Sequence, residues 1–248
     1  MLLSEALTGD VSRYLAERDT VLIPIGSLEQ HWKAAPLACD TIIPVMLCRE
    51  ASIRTGVAVA PAVSYGCSEN HMAFAGTVSL DPRTLALTVR DLAVSLHAHG
   101  FRKILLLSGH GGNREAVENG LDEAAGNCSG SILKYILYRD LPGAVEKQKQ
   151  LFCPDPGYHV TVTEVSMIWH LLGKDIPDFP RMVFPPEPSA GEKLSREEWK
   201  NRYPMGGAGS DLKHVSAARG EEFFEFLVNS LCSLVHDLEE EGDKIGIQ

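Results

Sequence analysis

Two hydrophobic patterns alternate along this chain. Short apolar runs, typical of strands buried in a parallel sheet, are followed by longer segments whose apolar residues recur at helical spacing. The runs predict strands at residues 21–25, 57–63, 103–107 and 131–138. The longer segments predict helices at residues 10–18, 42–54, 82–100, 113–125 and 216–241, with a further helix after residue 164. This order predicts an α/β fold, a three-layer α/β/α sandwich with a mainly parallel central sheet.

Two residues are placed to begin helices, and two segments predict loops. Asp81 is positioned to cap one helix, and Asn113 is a candidate N-cap for the next. Residues 140–157 are polar and lack periodicity, and residues 174–195 are rich in proline. We expect the second segment to act as a lid or an oligomer contact, since long ordered loops often do.

Composition narrows the class of protein. A length of 248 residues suits one α/β domain covering 1–248, and the formal net charge of −10 comes without any basic cluster. That balance argues against a nucleic-acid partner. No apolar run approaches the ~20 residues that span a bilayer, and the acidic start of the chain does not resemble a signal peptide. Six scattered cysteines suit reduced thiols, so we expect a cytoplasmic protein without a membrane partner.

The first candidate site follows the strand at 21–25. Glu29, His31 and Asp40 arrive within a short stretch just past its end. In an extended segment Glu29 and His31 point the same way, and all three side chain types bind hard or borderline divalent metals. The alternative is a solvated Glu, a surface His and an Asp that caps the next helix, and spacing alone leaves both interpretations open.

The second candidate site follows the strand at 103–107. His110 lies among Gly109, Gly111 and Gly112, directly after an uninterrupted apolar run. Glycines let the backbone approach a ligand closely, so this His has little room for a packing role. A tight turn in which Asn113 caps the next helix would explain the asparagine but not the histidine.

These motifs together resemble one known family, the creatininase (creatinine amidohydrolase) family. Weaker similarity continues through residues 159–166 and 209–220. The motifs that carry the resemblance are Glu29-Gln30-His31, Asp40-Thr41, Tyr65-Gly66-x-x-Glu69-x-His71-x-x-Phe74-x-Gly76-Thr77 and Gly109-His110-Gly111-Gly112-Asn113.

The resemblance implies a metal-dependent hydrolase that cleaves a C–N amide bond of a small molecule. Glu29, Asp40 and His110 would hold one divalent metal, and His31 with a bridging Asp40 a second; zinc is expected, with manganese or iron as alternatives. His159 would be the catalytic acid and base, oriented by Glu164. The resemblance also implies a homo-oligomer, either a hexamer or a dimer.

The remaining candidates are substrate-binding residues. Backbone N–H groups of Gly111 and Gly112 could stabilise an oxyanion, and Glu69 and His71 lie in a loop that could reach the substrate. The family commonly continues Glu-Gln-His with Gly-Pro-His, whereas this chain has Trp32 and Lys33. Lys33 could bind an anionic substrate; the alternative is a solvent-facing lysine with Trp32 packed against a neighbouring subunit.

One departure from the family bears on the reaction. In creatininase itself the loop after the long strand carries a His-x-Glu motif, and that Glu helps to bind the second metal. In this chain the position of the Glu is Gly112. The second metal site would then be completed by Glu164 or water, or would be absent, and creatinine is a doubtful substrate. Two alternatives remain: a deformylase of a formamidopyrimidine-type nucleotide, and a non-catalytic metal-binding paralogue.

Overall fold

A parallel sheet forms the centre of the molecule. The structure is a computed structural model and describes residues 1–152 and 157–244. In these residues the sheet has four strands, in the order β2-β1-β3-β4 with every pairing parallel. The strands are β1 (Thr20–Ile25), β2 (Ala58–Val59), β3 (Lys103–Ser108) and β4 (Ile132–Leu137).

Alternation along the two central strands separates two hydrophobic layers. Leu22, Leu105 and Leu107 face one layer, whereas Ile23 and Leu106 face the other, as the period of two requires. Helices cover both faces. They are α1 (Thr8–Leu15), α2 (Cys39–Thr55), α3 (Pro82–Ala98), α4 (Arg114–Ala125), α5 (Ala144–Leu151), α6 (Val162–Leu172), α7 (Arg196–Arg202) and α8 (Ala217–Lys244).

The helices divide between the two faces. α2, α6 and α8 pack together with the first layer, and α3 and α4 pack together on the second. The prediction of an α/β/α sandwich with a mainly parallel sheet is therefore confirmed. None of the helices in the described residues is both long enough and apolar enough to cross a bilayer.

The strand predicted at 57–63 is wrong in length. Only Ala58–Val59 pairs as a strand, although Val63 still exchanges backbone hydrogen bonds with the residues beside Ile25. Pro61 explains the interruption, because proline has no N–H to donate to the ladder.

Two helices lie where the sequence predicted none. α5 occupies part of 140–157, which we expected to be a loop; it buries Ala144 and Gln148 and packs on α8. Residues 153–156 of that segment lie outside the described residues. α7 begins at a capping box in which Ser195 and Glu198 exchange hydrogen bonds. Both helices are short, so their apolar stripes are too brief to show periodicity.

The two predicted helix caps have opposite outcomes. Asp81 accepts a hydrogen bond from the Arg83 N–H and caps α3 as predicted. Asn113 makes no side-chain cap; instead it accepts from the Cys67 N–H and donates to the Gly26 carbonyl. Its side chain therefore joins two loops at the carboxyl edge of the sheet.

Candidate active site

The candidate ligands come together at the carboxyl edge of the sheet. Glu29 and His31 follow β1, His110 follows β3, and Asp40 lies in the first turn of α2. Ligands of open α/β sheets bind at this edge. The four side chains are buried.

One group of three side chains converges on Nδ1 of His110. This nitrogen lies 3.0 Å from Oδ2 of Asp40 and 3.3 Å from Oε2 of Glu29. One ligand atom from each of the three residues lies within 4.8 Å of the other two, which is close enough to share one ion. The structure therefore brings together the trio that the resemblance assigned to the first metal.

A second group forms around Nε2 of His31. That nitrogen lies 3.4 Å from Oδ1 of Asp40 and 3.9 Å from Oε1 of Glu164. Asp40 thus presents one oxygen to each group, as a bridging carboxylate would. The Cys39 thiol is also near, but burial above all, and then Glu164 and Asp40, raise its pKa well above the usual value, so it stays neutral.

Both imidazoles are held by backbone carbonyls at the nitrogen that faces away from the carboxylates. Nδ1 of His31 lies 3.1 Å from the Glu29 carbonyl, and Nε2 of His110 lies 2.9 Å from the Cys67 carbonyl. In the neutral tautomer that donates to the carbonyl, the other nitrogen presents its lone pair to the carboxylates. Metal-binding histidines are oriented in this way.

The carboxylates are fixed by hydroxyl groups. The Ser68 hydroxyl donates to Oε2 of Glu29 at 2.6 Å, and the Ser27 hydroxyl donates to Oδ2 of Asp40 at 2.9 Å. Two other buried atoms, Oε1 of Glu29 and Nε2 of His31, have no hydrogen-bond partner in the described residues, although titratable groups lie within 4 Å of each. A buried polar atom without a hydrogen bond is costly, and a divalent cation that displaces the His31 proton would satisfy both atoms.

Burial and close charges shift every pKa in the cluster. Burial raises the pKa of Glu29 to about 7. For both imidazoles burial alone would lower the pKa, but the nearby carboxylates outweigh it and raise the pKa of His31 to about 10 and of His110 to about 9. The pKa of Asp40 is held well below its usual value despite burial, because His31 and His110 lie beside it. A divalent cation that binds here must therefore displace protons.

A second pair of histidines stacks beside this cluster. The ring centroids of His71 and His159 lie 4.2 Å apart with an angle of 25° between the ring planes. Trp199 of α7 makes a T-shaped contact with both rings. Nδ1 of His159 lies 3.5 Å from Oε1 of Glu29. Its Nε2 lies 3.0 Å from the Gln30 carbonyl oxygen and 2.9 Å from the Gln30 side-chain nitrogen.

Burial lowers the pKa of both stacked histidines. It reaches about 3 for His71 and lies well below the usual value for His159, with neighbouring imidazoles adding to the effect. The expected pairing of His159 with Glu164 is not what the structure shows. Glu164 faces His31 and accepts from the Thr161 N–H at the start of α6, whereas Gln30 and Glu29 contact His159.

An open cavity of about 290 Å³ joins these groups, near the lower end of the roughly 300–1,000 Å³ usual for small-molecule sites. It is lined by Glu29, Asp40, Asn70, His71, Gly109, His110, Gly111, Gly112, Arg139, Tyr158, His159 and Glu164.

Comparison with known proteins agrees with this geometry. The sequence profile of the creatininase family, creatinine amidohydrolase, matches residues 4–235. The chain belongs to the creatininase family. Creatinine amidohydrolase from Pseudomonas putida is 27% identical over 91% of this chain and 92% of its own length. The mycofactocin precursor peptide peptidase of Mycolicibacterium smegmatis is 29% identical over 84% of this chain and 81% of that protein.

Solved creatininase structures share the fold across nearly the whole chain. One named "Creatininase Mn" superposes with a TM-score of 0.81 at 26% identity, covering 96% of this chain and 98% of the other. A mutant creatininase described as "Zn-Zn type" gives a TM-score of 0.79 at 26% identity, with the same coverage. The relatives are thus hydrolases, and their structures carry manganese or zinc in their names.

Three of the predicted substrate residues lie away from the cavity. Trp32, in a left-handed backbone conformation (φ 51°), packs edge-on against Phe179 and Phe184 of the same chain. Lys33 is exposed. Glu69 is exposed and pairs with Arg196 of α7 at 2.7 Å.

The glycine positions differ in the space around them. A Cβ placed on Gly112 would lie 2.4 Å from Nε2 of His110 and 2.7 Å from the Cys67 carbonyl, so this backbone has no room for a side chain there. Among the described residues, a Cβ on Gly111 would meet only the Arg139 guanidinium, at 3.7 Å. The loop after β3 in this chain therefore has a shape that requires glycine at position 112.

Several residues of the site were not predicted from the sequence. Gln30 lies inside the Glu-Gln-His motif, but nothing in its spacing predicts contacts with His71 and His159. Trp199 and Arg139 come from distant segments. Arg139 directly follows the fourth predicted strand, and a charged residue at that edge of a parallel sheet is the one clue that could have found it.

Proposed function

We propose that this protein is a divalent-metal-dependent hydrolase that cleaves a C–N amide bond of a small molecule. The observation that carries the proposal is the converging cluster of carboxylates and imidazoles, in which two buried atoms of the described residues, Oε1 of Glu29 and Nε2 of His31, have no hydrogen bond. Its membership of the creatininase family supports the reaction class, because an amidohydrolase and a peptidase both hydrolyse C–N bonds.

The chain offers ligands for one or two ions. Glu29, Asp40 and His110 would hold the first, and His31, Asp40 and Glu164 the second. Nitrogen and carboxylate ligands suit zinc, manganese and iron, and relatives with the first two support those metals. When bound, such an ion lowers the pKa of a water molecule and polarises a carbonyl oxygen.

His159 would move the proton. In one tautomer its proton lies on Nε2 and is donated to the Gln30 carbonyl, so that the Nδ1 lone pair faces Glu29 and the cavity; in the other, Nε2 accepts from the Gln30 side-chain nitrogen and the proton lies on Nδ1. The lowered pKa keeps this imidazole neutral near pH 7, as a proton acceptor must be. In the first tautomer, Nδ1 would take the proton from the attacking water and return it to the departing nitrogen.

Other residues would hold the substrate. The backbone N–H groups at Gly111 and Gly112 border the cavity and would bind the oxyanion. His71 stacks on His159 and would keep that ring in place, whereas Glu69 would fix α7 through Arg196. Trp32 and Lys33 would act on the substrate only from outside the cavity of a single chain.

The size and lining of the site support a small substrate other than creatinine. By the family resemblance, creatininase itself has a Glu at the position of Gly112. In this chain the backbone leaves no room for a side chain at that position. A linear or cyclic amide that fits within about 290 Å³ is the class we propose.

Metal content and turnover together test the proposal. Purified protein should carry stoichiometric zinc, manganese or iron by elemental analysis, and the loaded protein should hydrolyse members of a panel of small N-acyl compounds. His110→Ala should lose both properties, while His236→Ala, which changes an exposed histidine of α8, should lose neither. Protein that binds metal but hydrolyses nothing in the panel would favour a non-catalytic paralogue.

We also propose a cytoplasmic homo-oligomer. The thiols of Cys39, Cys48, Cys67, Cys128 and Cys232 are free, which suits a reducing compartment. Light scattering of the purified protein would give the number of subunits.

A further inference from the structure

Arg139 is the one basic side chain, apart from histidines, that lines the cavity in the part of the chain that the structure describes. It follows β4 directly, and β4 pairs with β3 so that Leu137 lies opposite Ser108. The short turn after β4 therefore lies beside the turn that carries His110. The Arg139 guanidinium lies over Gly111, 3.7 Å from where a Cβ would stand.

Within the described residues this guanidinium has no protein partner at bonding distance. Among residues 1–152 and 157–244, none forms a hydrogen bond with its side chain or an ion pair within 4.0 Å. The other half-buried arginines all have such partners: Arg18 with Glu239, Arg90 with Asp91, and Arg102 with the carbonyls of His97 and Phe101.

An unpaired charge that is partly removed from water needs a reason. Glu164 and Asp40 attract Arg139 over a longer distance, but neither comes close enough to bond. Those carboxylates are turned toward His31 and His110. The five N–H donors of Arg139 are therefore available to a molecule in the cavity.

We propose that Arg139 binds a carboxylate of the substrate, so that the amide cleaved at the metal cluster belongs to a small N-acyl amino acid or a related acid. The proposal rests on the proposed hydrolase function and names its substrate class. A guanidinium binds a planar carboxylate through two parallel N–H···O bonds. The cluster at one side of the cavity would hold the amide, and Arg139 the acid group a few atoms away. Phosphate is the alternative anion, but a nucleotide is large for a cavity of about 290 Å³.

Three matched probes test the proposal: N-acetylglycine, its neutral amide N-acetylglycinamide, and the phosphonate analogue N-acetylaminomethylphosphonate. Binding of each to the metal-loaded protein is measured by calorimetry, and turnover is measured alongside. Wild-type protein should prefer the carboxylate over both other probes. Arg139→Gln should weaken N-acetylglycine binding about 10- to 100-fold, with much less effect on the neutral amide, because a charge-assisted bond is lost.

Two further variants sharpen the comparison. Arg139→Lys should restore only part of the affinity, because an ammonium group cannot form the two parallel bonds. Arg114→Gln removes the same charge from a nearby exposed side chain that does not line the cavity, and should leave the preference unchanged.

The outcomes separate this proposal from the general function. The role of Arg139 would be overturned by equal binding of the carboxylate and the neutral amide, or by a preference for the carboxylate that survives Arg139→Gln. Hydrolysis of either probe would still support the hydrolase function. Binding of the carboxylate that depends on Arg139, without turnover of any probe, would support the role of Arg139 and contradict the hydrolase function. Loss of metal from Arg139→Gln with an unchanged preference would show that the arginine only offsets the carboxylate charges, and a stronger phosphonate preference would overturn the carboxylate assignment.

Discussion

Gln30 connects both stacked histidines to the opposite wall of the site. Its side-chain nitrogen lies 2.9 Å from Nε2 of His159, 3.2 Å from Nδ1 of His71 and 3.2 Å from the Gly206 carbonyl. Gln30→Ala should therefore remove the side-chain contact to both rings, while the backbone carbonyl at residue 30 still faces His159. We expect kcat to fall about 10- to 100-fold, the usual cost of losing a residue that orients a site histidine. Steady-state kinetics with metal content measured in parallel would check this.

Gln148 provides the matched control. It is also buried, but its amide donates to Thr163, away from the cavity. Gln148→Ala should lower the free energy of unfolding by about 1–3 kcal/mol and leave kcat unchanged. If Gln30→Ala lost activity only in proportion to its loss of metal or of stability, the orienting role of Gln30 would be wrong.

The ligand histidines make metal binding sensitive to pH. The pKa of His31 is raised to about 10 and that of His110 to about 9, so below pH 9 both rings carry protons that a cation must displace. Affinity should therefore rise with pH, by up to about tenfold per pH unit for each proton released. Calorimetric titration with zinc at pH 7, in two buffers of different ionisation enthalpy, counts the protons.

We expect at least one proton to be released for each zinc bound. The same titration on His236→Ala, which changes an exposed histidine outside the cluster, should release the same number. A count near zero in both buffers would mean that neither ring is protonated before binding, and would contradict the raised pKa values.

The sequence could predict the metal ligands but not the other side chains that line or support the site. Glu29, His31, Asp40 and His110 follow predicted strands or begin a predicted helix, and the parallel order of strands implies that their ends meet. Gln30 and Arg139 depend on side-chain directions within irregular turns, which spacing does not determine. Lys33 shows the opposite case, because a charge beside the motif suggested substrate contact and the folded chain exposes it.

At the scale of elements, two glycines let α2 reach the end of the sheet. Gly26 follows β1 and Gly109 follows β3, and the first turn of α2 lies against both. A Cβ on Gly109 would lie 1.9 Å from the Asp40 carbonyl oxygen, and one on Gly26 would lie 2.5 Å from it. This close approach is what places the Asp40 carboxylate between the loops of two strands.

Gly109→Ala should therefore push α2 away from the sheet. We expect a loss of about 3 kcal/mol in the free energy of unfolding, because the methyl group meets backbone that cannot rotate away. Metal affinity should fall as well, since Asp40 moves with the helix. Denaturant unfolding and zinc titration measure the two effects.

Gly126 is the control for that substitution. It ends α4 with an ordinary helical φ of −62°, and a Cβ there would meet no atom of the described residues within 4 Å. Gly126→Ala should change stability by no more than about 0.5 kcal/mol. A stable Gly109→Ala protein with full metal affinity would show that the turn can shift and that close packing of α2 is not required.

Element prediction succeeded where apolar patterns were long. The apolar runs at residues 21–25 and 103–107 predicted the two central strands. The apolar stripe of α3 predicted that helix, and Asp81 at its start was predicted as the cap. It failed for α5 and α7, which are too short to show a repeat, and for the strand that Pro61 interrupts. These failures do not alter the site's main geometry, although α7 brings Trp199 onto the stacked histidines.

At the scale of the whole molecule, the candidate ligands connect both central strands with two helices of the first layer. Glu29 and His31 follow β1, His110 follows β3, Asp40 begins α2 and Glu164 lies in the first turn of α6. A cation bound by these groups would link segments far apart in the chain. Binding that occurs only in the folded state adds directly to the free energy of unfolding.

Zinc or manganese should therefore stabilise the entire fold. At a free concentration one hundred times the dissociation constant, one site adds about 2.7 kcal/mol, which for a chain of this size raises Tm by roughly 5–10 °C. Thermal unfolding with metal and with a chelator would measure the shift. His110→Ala should lose most of it, whereas His236→Ala, exposed on α8, should keep it. An equal shift in all three proteins would place the stabilising ion elsewhere, and the cluster at the end of the sheet could then not be the metal centre.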